Sequence, residues 1–438
     1  MQIDNTTYKD LLLFSNDEEY SIFHRLDFTR TVGGKARLAS IFTEPFSEIK
    51  KIMQVQAILK LILSKENEWP QQITNGTVMV MEKFYETSVH DIPSSPGLVH
   101  SVLYKIFNGP DYSVTRYSVT HFADFLRGMQ LVLELLKVPN APGLLLGYTD
   151  RARSLMKHKH IEQLIGEDPS RKLSPNKVLY YGRFLRTQYK RQAEELIEIY
   201  SQLDAWYSMA VATKRMNLKF PSFSEQEEPL IEARGLYHVL LADPVAYDVE
   251  LTPHSNFLFL TGANMAGKST FIKAVGAAVF LAHIGMGVPA SNMQLTVFDG
   301  VLSNINVEDN IVKGESFFFN EVQRIKNTIL KINDHRKWLI LIDELFKGTN
   351  VQDAMKCSTT VIKGLLKIRN SLFILSTHLY EIADELKAYP NISFKYFETT
   401  IRGEQLEFSY QLKDGISDDR LGYLILRREK VIDLLDSL

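Results

Sequence analysis

Thr261 to Thr270 reads TGANMAGKST, preceded by the apolar run FLFL (Phe257 to Leu260) and followed by a stretch with Phe271, Ile272, Val275 and Val279 on one helical side. Gly262, Gly267, Lys268 and Ser269 satisfy G-x-x-x-x-G-K-[ST], and the flanking pattern supplies the strand and helix that a phosphate-binding loop requires. Backbone N–H groups at a helix N-terminus can surround a polyphosphate only where small residues let the chain wrap closely. Lys268 is then expected to reach the β- and γ-phosphates, Ser269 to ligate Mg²⁺, and the loop through Thr270 to hold ATP. The bland alternative is a glycine turn without a ligand.

Three further segments fall into place around this loop. In WLILIDEL (Trp338 to Leu345) an apolar strand ends in two carboxylates. Ligands sit at the carboxyl ends of strands in open α/β sheets, so Asp343 is a candidate Mg²⁺ holder and Glu344 a candidate general base for the attacking water. In SLFILSTHLYEIADEL another apolar strand delivers Ser376, Thr377 and His378 to the same edge, where His378 could stabilise the γ-phosphate and the water or be merely structural. DNIVKGESFFFNEV places Gly314, Glu315 and Ser316 before an amphipathic stretch through Ile332. Ser316 could form part of an anion site for a second subunit's γ-phosphate, or simply cap its helix.

Outward from these motifs the chain has two textures. Before about Pro229 helical periodicity dominates: Ile49, Ile52, Val55, Ile58, Leu59 and Ile62 recur three or four apart, as do Phe122, Leu126, Met129, Leu133 and Leu136. After it, short apolar runs alternate with helical segments, which predicts a three-layer α/β domain with a largely parallel sheet. Ile392 to Tyr396 and Leu406 to Leu412 read as a hairpin at a sheet edge. The expected division is a helical domain over 1–228 and an ATPase domain over 229–438, with the Pro- and acid-rich PSFSEQEEP between them.

At 438 residues, two or three domains are expected, and 50 Lys+Arg against 52 Asp+Glu exclude a polycation that coats nucleic acid indiscriminately. One segment departs from neutrality: Arg151 to Arg191 holds 11 Lys or Arg against 3 acidic residues, with Tyr180, Tyr181 and Tyr189 among them. Lys157, Lys159, Arg171 and Lys172 are its candidate DNA contacts; a solvated helix surface is the alternative. The single cysteine, Cys357, excludes an intramolecular disulfide framework, and MQIDNTTYKD lacks a secretory signal, so a cytoplasmic protein is expected. Ala274 to Ala290 is too short and too interrupted to span a bilayer and reads as a buried helix.

The motifs together resemble the MutS family of mismatch-repair ATPases. TGANMAGKST is similar to that family's TGPNMGGKST loop, and ESFFFNEV, LIDELFKGTN and STHLYEI resemble its signature segment, Walker B region and histidine loop, in order. Upstream, SIFHRLDFTRTVGGKARLASIFTEPFSEI resembles the start of the family's core domain, and LDAWYSMAVATKRMNLKFPSF its returning helix. The resemblance implies an ABC-class ATPase that forms a homodimer through its ATPase domain, with Lys268, Ser269, Asp343, Glu344 and His378 of one subunit facing Ser316 of the other. It also implies nucleotide contact for Asn264, and a helical core and lever that close on DNA. Ala263, Ala266, Phe317, Lys347 and Asn350 depart from the family pattern. Little room lies before Ser21 or within the helical half for mismatch-reading domains or a full clamp.

The expected function is therefore ATP-controlled binding of mismatched or branched DNA. A nucleotide-switched ATPase acting on a protein partner is the alternative. A small-molecule P-loop kinase leaves the helical half unexplained. Val245 and Tyr247 are both open as the residue that stacks on adenine.

Overall fold

A computed structural model describes residues 1–93, 97–306, 317–402, 405–417 and 430–436. By internal contact the chain divides into two units, one of Met1–Arg25, Glu44–Ile52 and Arg215–Leu438, the other of Leu26–Thr43 and Met53–Lys214.

The second unit is helical, as the periodicity predicts. The stripe of Val55, Ile58, Leu59 and Ile62 is buried on the part of the helix Ile49–Ser64 that belongs to it, and Phe122, Leu126, Met129 and Leu133 are buried on the 27-residue helix Gly109–Leu135. At 1.5 Å per residue the latter runs roughly 40 Å. The helix Lys190–Arg215 buries Asp204, whose carboxylate accepts hydrogen bonds from the backbone N–H groups of Arg30 and Thr31 and from the Thr31 hydroxyl (2.7 Å). Burial pushes this carboxyl up, and those donors oppose the shift. A Cβ at Gly34 would lie 2.1 Å from Asp204 Oδ2, so the glycine pair in TRTVGGKA is a requirement of close approach.

The other unit carries two sheets. Its strands are β1 (Gln2–Ile3), β2 (Ser222–Phe223), β3 (Ile231–Leu236), β4 (Tyr247–Leu251), β5 (Phe257–Thr261), β6 (Asn292–Leu295), β7 (Gly300–Asn304), β8 (Trp338–Asp343), β9 (Ser371–Ser376), β10 (Ile392–Arg402) and β11 (Gln405–Asp414). The seven-stranded sheet runs β1-β7-β8-β9-β5-β10-β11, parallel except for the β10–β11 pair at its edge, and the smaller sheet runs β2-β6-β3-β4. Alternation along β8 shows why its run is apolar throughout. Trp338, Ile340 and Ile342 pack with Ile362 and Leu365 of the helix Val351–Leu365, whereas Leu341 meets the helix Lys268–His283 at Gly276. Helices thus cover both faces, and the three-layer expectation holds.

The observed division differs from the expected boundary at 228/229. It falls at 214/215, and the first 25 residues group with the C-terminal unit. Strand pairing is the cause: Gln2 and Ile3 align with Gly300 and Val301 at the edge of the large sheet. A two-residue strand followed by a short helix has no local signature of so distant a partner. No helix among the described residues is long and apolar enough to cross a membrane.

Candidate active site

The parallel strands place the ends of β5, β8 and β9 side by side. Ser376 is opposite Leu260 on one side and Asp343 on the other, so the loop after β5, the acidic pair after β8 and the histidine after β9 converge on one edge. The loop turns through positive φ at Gly262 (134°), Met265 (69°) and Gly267 (109°), and Gly267 precedes the helix Lys268–His283. A Cβ at Gly262 would come within 3.2 Å of the Phe397 carbonyl oxygen, so both space and φ demand glycine there. Ala263 and Ala266 are buried beneath the loop, where larger side chains would not fit; Asn264, Met265 and Ser269 are exposed.

Lys268 is buried and folds back over the loop. Its Nζ donates to the carbonyl oxygens of Gly262 (2.6 Å) and Ala263 (2.9 Å) and lies 3.5 Å from His378 Nε2. Burial lowers its pKa to about 8, with Glu344 and Asp343 holding it from falling further. The hydroxyls of Ser269 and Ser376 each donate to Asp343, one to either carboxylate oxygen. The Ser269 hydroxyl and the Asp343 carboxylate are hard oxygen donors meeting at the mouth of the loop. That pairing suits Mg²⁺, which takes few protein ligands and fills its octahedron with phosphate oxygens and water. No cluster of three or more His, Cys, Asp or Glu that could hold a metal occurs among the described residues.

Glu344 leaves β8 in the left-handed region (φ 65°), a conformation that costs a non-glycine residue about 1–2 kcal/mol, and its N–H donates to the Ser376 carbonyl. Its carboxylate lies 2.7 Å from His378 Nε2 and 3.3 Å from Lys347 Nζ. Burial raises its pKa, but the hydrogen bond and charge of His378 and the Lys347 ammonium outweigh that and hold it at about 2. An ionised carboxylate beside the phosphate loop is in the protonation state that accepts a proton from water.

Lys347, a departure from the family pattern, is therefore a direct partner of the candidate base, while Asn350 caps the helix Val351–Leu365 by accepting from Asp353 N. Residue patterns pointed to neither contact. They also missed Glu321, buried on the helix Phe317–Ile332, whose carboxylate accepts the N–H groups of Lys347 and Gly348. Ser316, with Gly314 and Glu315, lies outside the described residues.

Tyr247 is buried with its ring edge-on to Phe271 and Phe397, leaving no open face for a base. Val245 is partly exposed. A cleft of about 730 Å³ beside the helix start is lined by Tyr20, His24, His238, Leu241, Thr270 and Lys273 among others.

Residues 258–431, which include every described residue of this edge, match the model of MutS domain V. The chain carries a MutS domain V. MutS domain V is an ATPase domain of the ABC class. Among curated relatives, the DNA mismatch repair protein MutS of Petrotoga mobilis is 29% identical over 244 residues, 55% of this chain and 30% of the relative. That of Thermotoga maritima is 30% identical over 240 residues, 53% of this chain and 30% of the relative. That of Lactococcus lactis subsp. cremoris is 26% identical over 269 residues, 60% and 32% of the two chains. The matched part thus spans about a third of the length of these MutS proteins.

The four candidate DNA contacts lie in the helical unit, all exposed. Lys157 follows the helix Gly143–Met156, Lys159 opens Lys159–Ile165, and Arg171 and Lys172 occupy the turn before Pro175–Thr187. Much of the surrounding positive charge is engaged internally. Arg183 donates to the Ile92 carbonyl, Arg186 to those of Phe84 and Thr87, Arg151 pairs with Glu195, and Arg171 itself lies 3.3 Å from Asp168. Tyr181 and Tyr189 are interior residues, with burial raising both phenols, and Tyr180 alone of the three tyrosines is well exposed.

Proposed function

We propose that this chain is a cytoplasmic, Mg²⁺-dependent ATPase of the MutS family that forms a homodimer through its ATPase domain and uses ATP to control binding to mismatched or branched DNA. The convergence of Lys268, Ser269, Asp343, Glu344 and His378 on one sheet edge carries this reading. The loop from Gly262 to Thr270, with Asn264, cradles the phosphates, and Lys268 neutralises their charge. Ser269 and Asp343 hold Mg²⁺, which when bound withdraws charge from the phosphates. Glu344 accepts the proton of the attacking water, His378 orients Glu344 and the γ-phosphate, and Ser316 of the second subunit completes the anion site. The cleft lined by Tyr20 and Leu241 takes the base. Turnover of ATP measured with plain, mismatched, branched and single-stranded DNA tests the whole; no stimulation and no binding of any of them at low salt would reject the DNA part.

The internal engagement of Arg151, Arg183 and Arg186 favours the second reading, a nucleotide-switched ATPase that acts on a protein partner. Changing Lys157, Lys159, Arg171 and Lys172 together to alanine separates the two. On the DNA reading, affinity falls by at least about tenfold and the salt slope becomes shallower, with ATP turnover in the absence of DNA intact. Unaltered DNA affinity would remove these four residues from the interface.

Nucleotide affinity should also depend on pH through Lys268. Because its pKa is lowered to about 8, the free protein carries the charge that phosphate needs only below that value. Affinity is therefore expected to be flat on the acid side and to fall by up to about tenfold per pH unit above it, read by fluorescent-nucleotide titration. A flat profile to about pH 9.5 would show that the bound phosphates do not depend on this ammonium.

A further inference from the structure

The helix Leu98–Phe107 of the helical unit is turned inside out. It buries Ser101 and Tyr104, and Tyr104 packs with Ile92, Tyr112, Val178 and Leu179 and donates to the His90 carbonyl. Leu98, Val99, Val102, Leu103, Ile106 and Phe107 face outward, with exposures from 44% at Leu103 to 78% at Phe107. At 100° per residue these six cover half of the helix circumference as two rows, 98-102-106 and 99-103-107. Scattered apolar residues on a surface need no explanation, but a continuous face of six does. It presents on the order of 600 Å², the upper end of the largest patch on an ordinary monomer.

We propose that this face is an interface between two copies of the chain, helix Leu98–Phe107 against its two-fold mate. Two such faces bury on the order of 1,200 Å² in total, within the range of specific stable interfaces. The two rows have the four-residue spacing whose ridges interlock with those of an identical helix at about −50°, and a two-fold axis through the face makes the contact self-complementary. The charge argues against other occupants. Apart from the buried Tyr104, His100 and Lys105 are the only charged or titratable side chains on the helix, too few for an anionic lipid surface, and six hydrocarbon side chains offer nothing to phosphate. This contact is additional to the ATPase-domain pairing proposed above and needs no ATP.

The sole cysteine allows a direct test. In full-length protein carrying Cys357→Ser, Val102→Cys and Leu103→Cys sit either side of the proposed axis, so each is expected to form a covalent dimer on mild oxidation without nucleotide. Glu134→Cys, exposed on a neighbouring helix, should not. Sedimentation should show the unmodified chain dimerising without nucleotide, and Ile106→Glu with Phe107→Glu, both at exposed sites, weakening that dimer by at least about a hundredfold. Absence of the cross-link at both positions overturns the proposal. So does a chain that stays monomeric without nucleotide, as it would if a vesicle surface covered the face.

Discussion

Replacing Lys268 with alanine is expected to weaken nucleotide binding by at least about a hundredfold, close to 3 kcal/mol. Two losses add. The phosphates lose their nearest buried cation, and the loop loses the ties from Nζ to the carbonyls of Gly262 and Ala263 that hold it curled. Titration of the full chain with a slowly hydrolysed ATP analogue reads the effect. Lys268→Arg is a sharper comparison, because it keeps the charge while a planar guanidinium cannot occupy the narrow space between those two carbonyls. It too should bind poorly. A dissociation constant within about threefold of the parent for Lys268→Ala would place the polyphosphate elsewhere and with it unseat the whole assignment of this edge.

The second large effect is on turnover. Glu344→Gln keeps the size of the side chain and leaves an amide oxygen beside His378, so nucleotide should still bind within a few-fold. Hydrolysis should fall by about 10²–10⁴, the usual contribution of a positioned general base. The carboxylate is held near pKa 2 by His378 and Lys347, so it is ionised at every pH at which the protein can be assayed. The acid limb of any pH–rate profile must therefore come from another group. With ATP present, and with Ile106→Glu and Phe107→Glu removing the other contact, the variant should accumulate as a dimer on size-exclusion chromatography. Unchanged single-turnover hydrolysis in Glu344→Gln would remove it from the chemistry and leave its left-handed backbone and its ion pairs as features of loop structure alone.

Most of this edge is legible in the sequence, for reasons visible in individual residues. The phosphate loop must use small residues and a lysine at one spacing, and a strand buried on both faces must be apolar from end to end, so TGANMAGKST, WLILID and SLFILS each announce their roles. Alternation also marked the edge hairpin, and three-to-four spacing marked the long helices.

Contacts between distant segments left no such trace. Asp10 is buried at the end of β7, accepting from Ser303, from the N–H groups of Ile305 and Asn306, and pairing with Arg324 at 3.7 Å. Nothing in MQIDNTTYKD distinguishes that aspartate from a solvated one. Glu321 likewise reads as an ordinary helix residue until the loop after Glu344 folds against it.

The basic segment shows the opposite failure, in which a real excess of charge overstated the free surface. Arginines that look solvent-facing in sequence instead satisfy carbonyl groups at helix ends, a use that composition cannot separate from phosphate binding. Local pattern was thus sufficient for the MutS domain V, the α/β architecture and the make-up of the loop and strand ends at this edge, because each of these is imposed within a few residues by periodicity, φ and charge. Which carboxylate meets which cation, where the first 25 residues belong, and that Leu98 to Phe107 turn their apolar side outward were decided only by folding. Those properties depend on what the rest of the chain brings to each residue's other side.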